Sequence, residues 1–142
     1  MRDKWVSLAK SVLQDAKSRK GRNRTNVDGM EHTLTSDDIK SVWNKQFGLC
    51  PLTQVKLRFI SNSRSKAGDR KKNKNISIDR INSGLGYCLE NIMVVCKMVQ
   101  ITKNALSVKQ YIALCRRIAD VADAVDYPKM PENEVDEMLD SF

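Results

Sequence analysis

The sequence predicts an α+β fold: a short β-hairpin and its following helix, flanked by helices on both sides. Residues 76–81 and 91–95 are apolar runs of strand length, rich in β-branched side chains, and a glycine-containing turn joins them. Segments before and after them carry apolar residues at helical spacing. At 142 residues the chain is long enough to bury one core of its own.

Two helices are predicted in the N-terminal part of the chain. Apolar side chains in residues 2–20 recur at the spacing of one helix face. A second helix is predicted over residues 35–48, with Thr35 or Ser36 as the N-cap and Gly48 as the stop.

The other strands, helices and loops are predicted from local sequence patterns. Residues 55–60 alternate apolar and basic side chains, which predicts a strand with one buried face. Residues 61–75 have no large apolar side chain, and we expect an exposed, mobile loop there. Helices are predicted over residues 96–106 and from the N-cap Ser107 onward, whereas we expect the acidic tail from Tyr127 to be loosely held.

The charge is unevenly distributed along the chain. The net charge is +8, but residues 118–142 carry eight acids and one lysine, so the first 117 residues hold 24 Lys and Arg against 9 acids. Such a basic body predicts a polyanionic partner, because each cation that meets a phosphate releases a condensed counterion. An ordinary basic surface is the alternative.

The composition also indicates the cellular compartment in which the protein is expected. No run of 18 or more apolar residues occurs, and the N-terminus lacks the apolar segment of a secretory signal, so we expect no membrane and a cytoplasmic location. In a reducing compartment the four cysteines are expected to be buried thiols. They are Cys50, Cys88, Cys96 and Cys115.

Polar residues lie at corresponding points of the hairpin and the next helix. Asp79 is on the first strand, Asn91 begins the second, and Gln100 and Lys103 lie on the helix. A hairpin packed on a helix brings such positions together. A carboxylate and an amide oxygen there would suit a hard cation such as Mg²⁺, which keeps most of its waters.

Residues 77–104, SIDRINSGLGYCLENIMVVCKMVQITKN, resemble the ββα-metal core of the HNH, or His-Me finger, endonucleases. They are most similar to a branch frequent in bacteriophages, and the resemblance covers roughly residues 30–117. It implies a DNA endonuclease that uses one Mg²⁺ or Mn²⁺ ion per site, acting as a phage homing or processing nuclease in a bacterial host cell.

The resemblance also assigns roles to particular residues. Asp79 falls on the metal-binding aspartate, and Gln100 on the position of a second metal ligand. Asn91 falls on the asparagine that holds the loop and the base. Lys103 matches a lysine often found on this helix. Arg80 falls where most of the family has the general-base histidine.

Arg80 departs from the family pattern, since a guanidinium stays protonated and cannot act as a base. It suits a clamp on the scissile phosphate. The attacking water would then be activated by metal-bound hydroxide, His32, Tyr87 or solvent. Gln100 is a second departure, because its long side chain fixes a metal less rigidly.

A structural zinc is not predicted. Many HNH proteins bind a structural zinc with two Cys-x-x-Cys pairs. At the corresponding positions this chain has Cys50 with Thr53 and Cys96 with Val99, and two thiolates do not complete a tetrahedral site.

The resemblance and the charge pattern divide the chain into three segments. Residues 1–28 are expected to form a basic helix and loop, 29–117 the HNH-like nuclease domain, and 118–142 the end of the last helix and the acidic tail. We expect double-stranded DNA to meet basic side chains from the first two, namely Arg22, Arg24, Arg70, Lys71, Lys72, Lys74 and Lys103.

Alternative functions remain open. A non-catalytic nucleic-acid-binding protein on a degenerate HNH scaffold, or an RNA-binding domain without metal chemistry, would share the basic charge. The acidic tail would be a solvated end, a DNA mimic or a site for a basic protein partner.

Overall fold

The computed structural model describes residues 3–18, 31–59 and 76–125. The predictions for residues 61–75 and for the tail from Tyr127 fall outside these ranges. So do the predicted DNA contacts of Arg22, Arg24, Arg70, Lys71, Lys72 and Lys74.

Within these ranges the chain forms four helices and one two-stranded antiparallel sheet, which confirms the predicted α+β class. The elements in order are α1 (Lys4–Ser18), α2 (Ser36–Lys45), β1 (Ile76–Arg80), β2 (Ile92–Cys96), α3 (Lys97–Lys103) and α4 (Val108–Ala124). One turn of 3-10 helix (Leu89–Asn91) leads into β2.

Two helix starts match their sequence signals. Thr35 caps α2: its side chain accepts a hydrogen bond from the Asp38 amide, and the Asp38 carboxylate accepts one from the Thr35 amide. Ser107 and Gln110 form the same reciprocal pair at α4, as predicted for Ser107. Each pair satisfies two amides that helix geometry leaves without an acceptor.

The β1–β2 hairpin is paired in a continuous register from Ile76 opposite Cys96 to Arg80 opposite Ile92. All of β2 is buried. Its outer edge is closed by Gln46, whose side-chain amide accepts from Val94 N at 2.9 Å and donates to Val94 O at 2.7 Å. This amide therefore replaces a third strand on an edge that would otherwise leave backbone groups unpaired.

The core lies between the hairpin, α2 and α3, and α1 adds to it. On α1, Ala9 is buried in the same cluster. The Trp5 ring packs edge-on against Trp43 at 5.4 Å and against Phe59 at 4.7 Å. Edge-to-face aromatic pairs of this kind stabilise packing beyond the area they bury. The described part of the 1–28 segment thus shares one core with the residues after it.

The predicted strand over residues 55–60 is wrong for the part that the structure describes. Residues 55–59 contain no regular strand, and the bridge of Lys56 is to Leu49. One partner is the tight turn after α2, where Leu57 N donates to Gly48 O and Cys50 N donates to Val55 O. The other is the start of β1, where Ile76 N donates to the Arg58 carbonyl at 3.2 Å. A tight turn offers no extended ladder, although the expected alternation holds, with Leu57 buried and Lys56 exposed.

Helix α4 is exposed along most of its length. Every residue from Ile112 to Val125 is exposed. The prediction of buried cysteines is therefore wrong for Cys115, which lies on this helix, and Cys88 is half-buried. Cys50 and Cys96 are buried as expected, and all four cysteines are free thiols.

The loop between the strands is fastened to the segment that precedes α2. The Tyr87 carbonyl accepts hydrogen bonds from Thr33 N at 2.9 Å and Leu34 N at 3.1 Å. Gly86 lies so close to this segment that an added Cβ would collide with the carbonyl oxygen of Glu31. The loop can pack here only because residue 86 has no side chain.

We predict that Gly86→Ala lowers the free energy of unfolding by about 3 kcal/mol, because the backbone of residue 31 would have to move. Gly84→Ala is the control, since its Cβ would meet only the exposed side-chain oxygen of Asn82, at 3.2 Å, and no backbone atom. Urea titration of both variants measures the difference. Equal stabilities would contradict the close approach seen at Gly86.

Candidate functional site

A buried ion pair lies between the hairpin and α3. Lys103 Nζ is 2.9 Å from Asp79 Oδ2, with the lysine side chain 0% and the aspartate side chain 8% exposed. Lys103 Nζ also donates to Ser83 Oγ at 3.5 Å, and Ser83 Oγ donates to the Leu106 carbonyl at 2.9 Å. The pair therefore joins β1, the turn that follows it and the end of α3.

Chain connectivity explains why these two residues meet. Helix α3 begins directly after β2, with Cys96 as its N-cap, so it must fold back beside the hairpin. Val99 and Lys103 are four residues apart and both are buried, which places them on the face of α3 that meets the strands. Asn104 then ends the helix with a positive φ of 50°.

The electrostatic environment of Asp79 is dominated by its burial. Burial raises the pKa of Asp79, and the neighbouring Lys103, which lowers it, offsets this only in part. The ammonium lies close to Asp79 Oδ2 but off the direction of a hydrogen bond, so this buried oxygen has charge contact without an aligned donor. Lys103, predicted to contact nucleic acid, instead neutralises Asp79 in this conformation.

Arg80 is directed into the loop between the strands. Its Nη1 donates to the Leu85 carbonyl at 2.8 Å, and its guanidinium carbon lies 5.2 Å from the centre of the Tyr87 ring. A cation at this distance from an aromatic ring is attracted to the ring face. The arginine side chain is buried and holds the loop against the hairpin.

Asn91 ties the two ends of the same loop together. Its Oδ1 accepts from Asn82 N at 2.9 Å, and its Nδ2 donates to Asn82 O at 3.0 Å and to Gly86 O at 2.8 Å. Three bonds from one buried amide satisfy most of its hydrogen-bonding capacity. The asparagine therefore fixes the loop from within.

His32 lies under the loop, beside Tyr87. Its Nδ1 accepts a hydrogen bond from the Tyr87 amide at 3.0 Å, and the two rings are 5.5 Å apart. Burial lowers the pKa of His32, and the nearby charge of Arg80 lowers it further. The neutral ring then carries its proton on Nε2. Its one basic nitrogen is already engaged by the backbone.

Gln100 is half-buried on α3, one turn before Lys103. Its Oε1 accepts from Lys97 Nζ at 2.9 Å, so the predicted metal ligand is bonded to a neighbour on its own helix. In the part of the chain that the structure describes, no three His, Cys, Asp or Glu side chains are grouped to hold a metal ion.

The two buried cysteines face each other at the far end of β2. Contact between their thiols lowers the pKa of Cys50 and raises that of Cys96, so one proton is favoured on Cys96. Thr53 lies beside both sulfurs. The position that a further thiolate would occupy is thus taken by a hydroxyl side chain.

Sequence reasoning expected Asp79 and Lys103 to lie close together but missed the ion pair between them and the part that Ser83 plays in it. A signal was present, because Lys103 stands four residues after the apolar Val99. A lysine on the buried face of a short helix requires a partner, since an unpaired buried charge is costly. No comparable signal marked Ser83.

Comparison with known proteins gives one relative and no fold match. An uncharacterized protein of Acanthamoeba polyphaga mimivirus is 32% identical over an alignment of 119 residues, and the match covers 80% of this chain. The chain spans about a fifth (22%) of the length of that viral protein. No protein-family model and no solved structure matches the chain. Among the described residues, no helix is long and apolar enough to span a membrane.

We predict that Lys103→Met lowers the free energy of unfolding by about 3–5 kcal/mol, because it leaves the Asp79 charge buried without a partner. Adding Asp79→Asn to that variant should recover a large part of the loss. The exposed Lys97→Met on the same helix is the control and should cost about 0.5 kcal/mol or less. Similar losses in the Lys103 and Lys97 variants would contradict a buried pair.

We predict that acid weakens the fold through His32. Because its folded-state pKa is below the ordinary 6.5, the unfolded chain takes up the proton first, and stability falls as the pH drops from about 6.5 towards the folded pKa. His32→Asn should remove this component while keeping an acceptor for the Tyr87 amide. Urea titration across this range measures it, and an unchanged pH slope in the variant would contradict the assignment.

Proposed function

We propose that the protein is a metal-dependent DNA endonuclease of the HNH type. The observation that carries the proposal is the convergence of a β1 carboxylate and α3 on one polar site, beside a loop braced by Asn91. The order strand, turn, strand, helix is that of the ββα-metal core that the sequence resembles. The net charge of +8 suits a polyanionic substrate, and the mimivirus relative supports a virus-encoded protein.

The site has the types of ligand atom that bind a divalent cation. Asp79 Oδ2 is a buried carboxylate oxygen without an aligned donor, and Gln100 supplies an amide oxygen from the adjacent helix. Oxygen ligands of these two types suit Mg²⁺ or Mn²⁺. Lys103 stands at the same carboxylate oxygen, so its ammonium must leave before a cation can bind there.

In the proposed reaction, each residue of the site has a separate role. Asp79 and Gln100 would hold the cation, which supplies a Lewis acid for the scissile phosphate and lowers the pKa of bound water. Lys103, once released from Asp79, carries a positive charge that suits a phosphate oxygen. Arg80 adds a permanent cation, whose charge offsets that of the reacting phosphate. Asn91 keeps the loop in place throughout.

The hydrogen bond of His32 argues against His32 as the general base. Its Nδ1 would have to give up the Tyr87 amide before it could accept a proton from water. We therefore propose that the proton of the attacking water passes to solvent, helped by the cation that Asp79 and Gln100 would hold, and that His32 supports the loop. Slow turnover follows from this arrangement, because a positioned base typically contributes about 10²–10⁴-fold to the rate.

A second function is favoured by the ion pair itself. The buried ammonium of Lys103 already balances the charge of the Asp79 carboxylate, so no metal ion is required to balance it. The basic charge would still bind nucleic acid through phosphate contacts. On this view the protein is a non-catalytic nucleic-acid-binding module on the same scaffold.

The decisive assay is nicking of supercoiled plasmid with Mg²⁺ or Mn²⁺. We predict that Asp79→Ala cuts at least about 100-fold more slowly than the wild type. Mutating even a residue that only hydrogen-bonds to a metal ligand typically lowers metal affinity or activity about 10–100-fold, and Asp79 is proposed to bind the metal directly. Asp120→Ala, which removes an exposed acid on α4, is the control and should cut at the wild-type rate.

The outcomes separate the two functions. Equal cutting by wild type and Asp79→Ala would reject the site assignment. No cutting by any variant, with DNA binding that weakens steeply as salt rises, would establish the binding module instead. Arg80→His tests the missing base, and it should keep or raise the rate if a base is what limits turnover.

A further inference from the structure

Both oxygens that are proposed to hold the metal are contacted by lysine ammonium groups. Lys103 Nζ lies 2.9 Å from Asp79 Oδ2, and Lys97 Nζ donates to Gln100 Oε1 at 2.9 Å. Each of the two oxygens therefore already faces a positive charge. The two ammonium groups together carry the charge of one divalent cation.

The two contacts differ in how easily they break. The bond between Lys97 and Gln100 is exposed, so water can replace it at little cost. The Lys103 side chain is 0% exposed and that of Asp79 is 8% exposed. Separating this pair leaves two charges in poorly hydrated surroundings, which is costly. Lys103 therefore decides whether the Asp79 carboxylate is available to another cation.

The Asp79 carboxylate cannot serve Lys103 and a divalent cation at the same oxygen. A Mg²⁺ ion bound to Oδ2 would lie within about 5 Å of the ammonium, because Mg²⁺–oxygen distances are about 2.1 Å. Like charges this close repel strongly where little water is present to screen them. The lysine-bound and metal-bound states of Asp79 therefore exclude each other.

An anion is needed to draw Lys103 away from Asp79. An ammonium that leaves a buried carboxylate must find another negative charge or reach water, since a buried unpaired charge is unfavourable. Lysine is a common ligand of phosphate groups. The basic charge of the chain favours a polyanion, and a nucleic-acid backbone presents a phosphate at the place where the metal would act.

The backbone directly after Lys103 is held in an uncommon conformation. Asn104 has φ 50° and ψ −121°, a combination that residues with a side chain rarely adopt. Such conformations are unfavourable and persist only where the surrounding contacts enforce them. The buried contact of Lys103 is one of these constraints, so its release also lets the end of α3 relax.

We propose that Lys103 closes the metal site until DNA binds, so that the metal and DNA bind cooperatively; this rests on the proposed nuclease function. A backbone phosphate takes the Lys103 ammonium, and the freed Asp79 carboxylate becomes able to hold the cation. By linkage, each ligand raises the affinity for the other by the same factor. Without DNA the site stays in its lysine-bound state.

Electron paramagnetic resonance of free Mn²⁺ measures the affinity of the full chain for the metal, alone and with a saturating short DNA duplex. The samples are kept cold to hold back cutting. Mn²⁺ bound by the DNA itself is subtracted with the double variant Asp79→Asn/Lys103→Met, which lacks both charges. We expect the duplex to raise the Mn²⁺ affinity of the wild type at least about fivefold, the lower end of typical coupling between sites. An equal affinity with and without the duplex would overturn the proposal.

The variant Lys103→Gln tests the role of the ammonium. It removes the charge and keeps a polar side chain that can donate to Asp79. Without DNA it should bind Mn²⁺ at least about tenfold more tightly than the wild type, and the coupling to DNA should fall below about twofold. Lys109→Gln, which removes an exposed lysine on α4, is the control and should keep the wild-type affinity and coupling. Circular dichroism checks the fold, and the wild-type coupling decides alone if Lys103→Gln does not fold.

The outcomes separate this proposal from the nuclease function on which it rests. Mn²⁺ that binds the wild type and Lys103→Gln equally tightly, with or without DNA, would reject the closing role of Lys103 and leave the metal site standing. Mn²⁺ binding that never exceeds that of the double variant would reject the metal site, and the closing role with it.

Discussion

The contact between Asp79 and Lys103 is the interaction on which the rest of the described site depends. It lies where β1, the following turn and α3 meet, and both side chains are removed from water. Burying two charges is costly, and the cost is recovered only when they stay in contact. The pair therefore fixes the position of α3 on the hairpin, because any slip of the helix would leave a charge without a partner.

A second constraint organises the loop between the strands. Asn91 closes the loop from inside, Arg80 holds its carbonyl at Leu85, and His32 accepts the Tyr87 amide from the opposite side. Three residues with proposed roles in the reaction thus also hold the structure together, namely Asp79, Arg80 and Asn91. Substituting any of them changes the fold as well as the chemistry, so the cutting rate of each variant has to be compared with its free energy of unfolding.

The predictions from sequence succeeded where the signal was local. The N-caps, predicted as Thr35 or Ser36 and as Ser107, and the two strands of the hairpin depend on neighbouring residues, and the structure confirms Thr35, Ser107 and both strands. They failed where the outcome depended on distant partners. Residues 55–59 have a strand's alternation but meet a tight turn, and Cys115 was expected to be buried but lies exposed on α4. The Asp79–Lys103 ion pair spans 24 positions: the order of strands and helix predicted that the two residues lie close together, but only the spacing of Lys103 from Val99 indicated a buried charge.

The most direct test of the account is an NMR spectrum of the lysine ammonium groups, with and without Mg²⁺. A buried, ion-paired ammonium exchanges its protons slowly, so we predict one observable ¹H–¹⁵N signal from Lys103 that disappears in Asp79→Asn. A metal that competes for the same carboxylate should weaken the signal when Mg²⁺ and DNA are both present. If Lys103 exchanged as fast as the exposed lysines in the metal-free protein, the buried pair would be contradicted, and with it this description of the site.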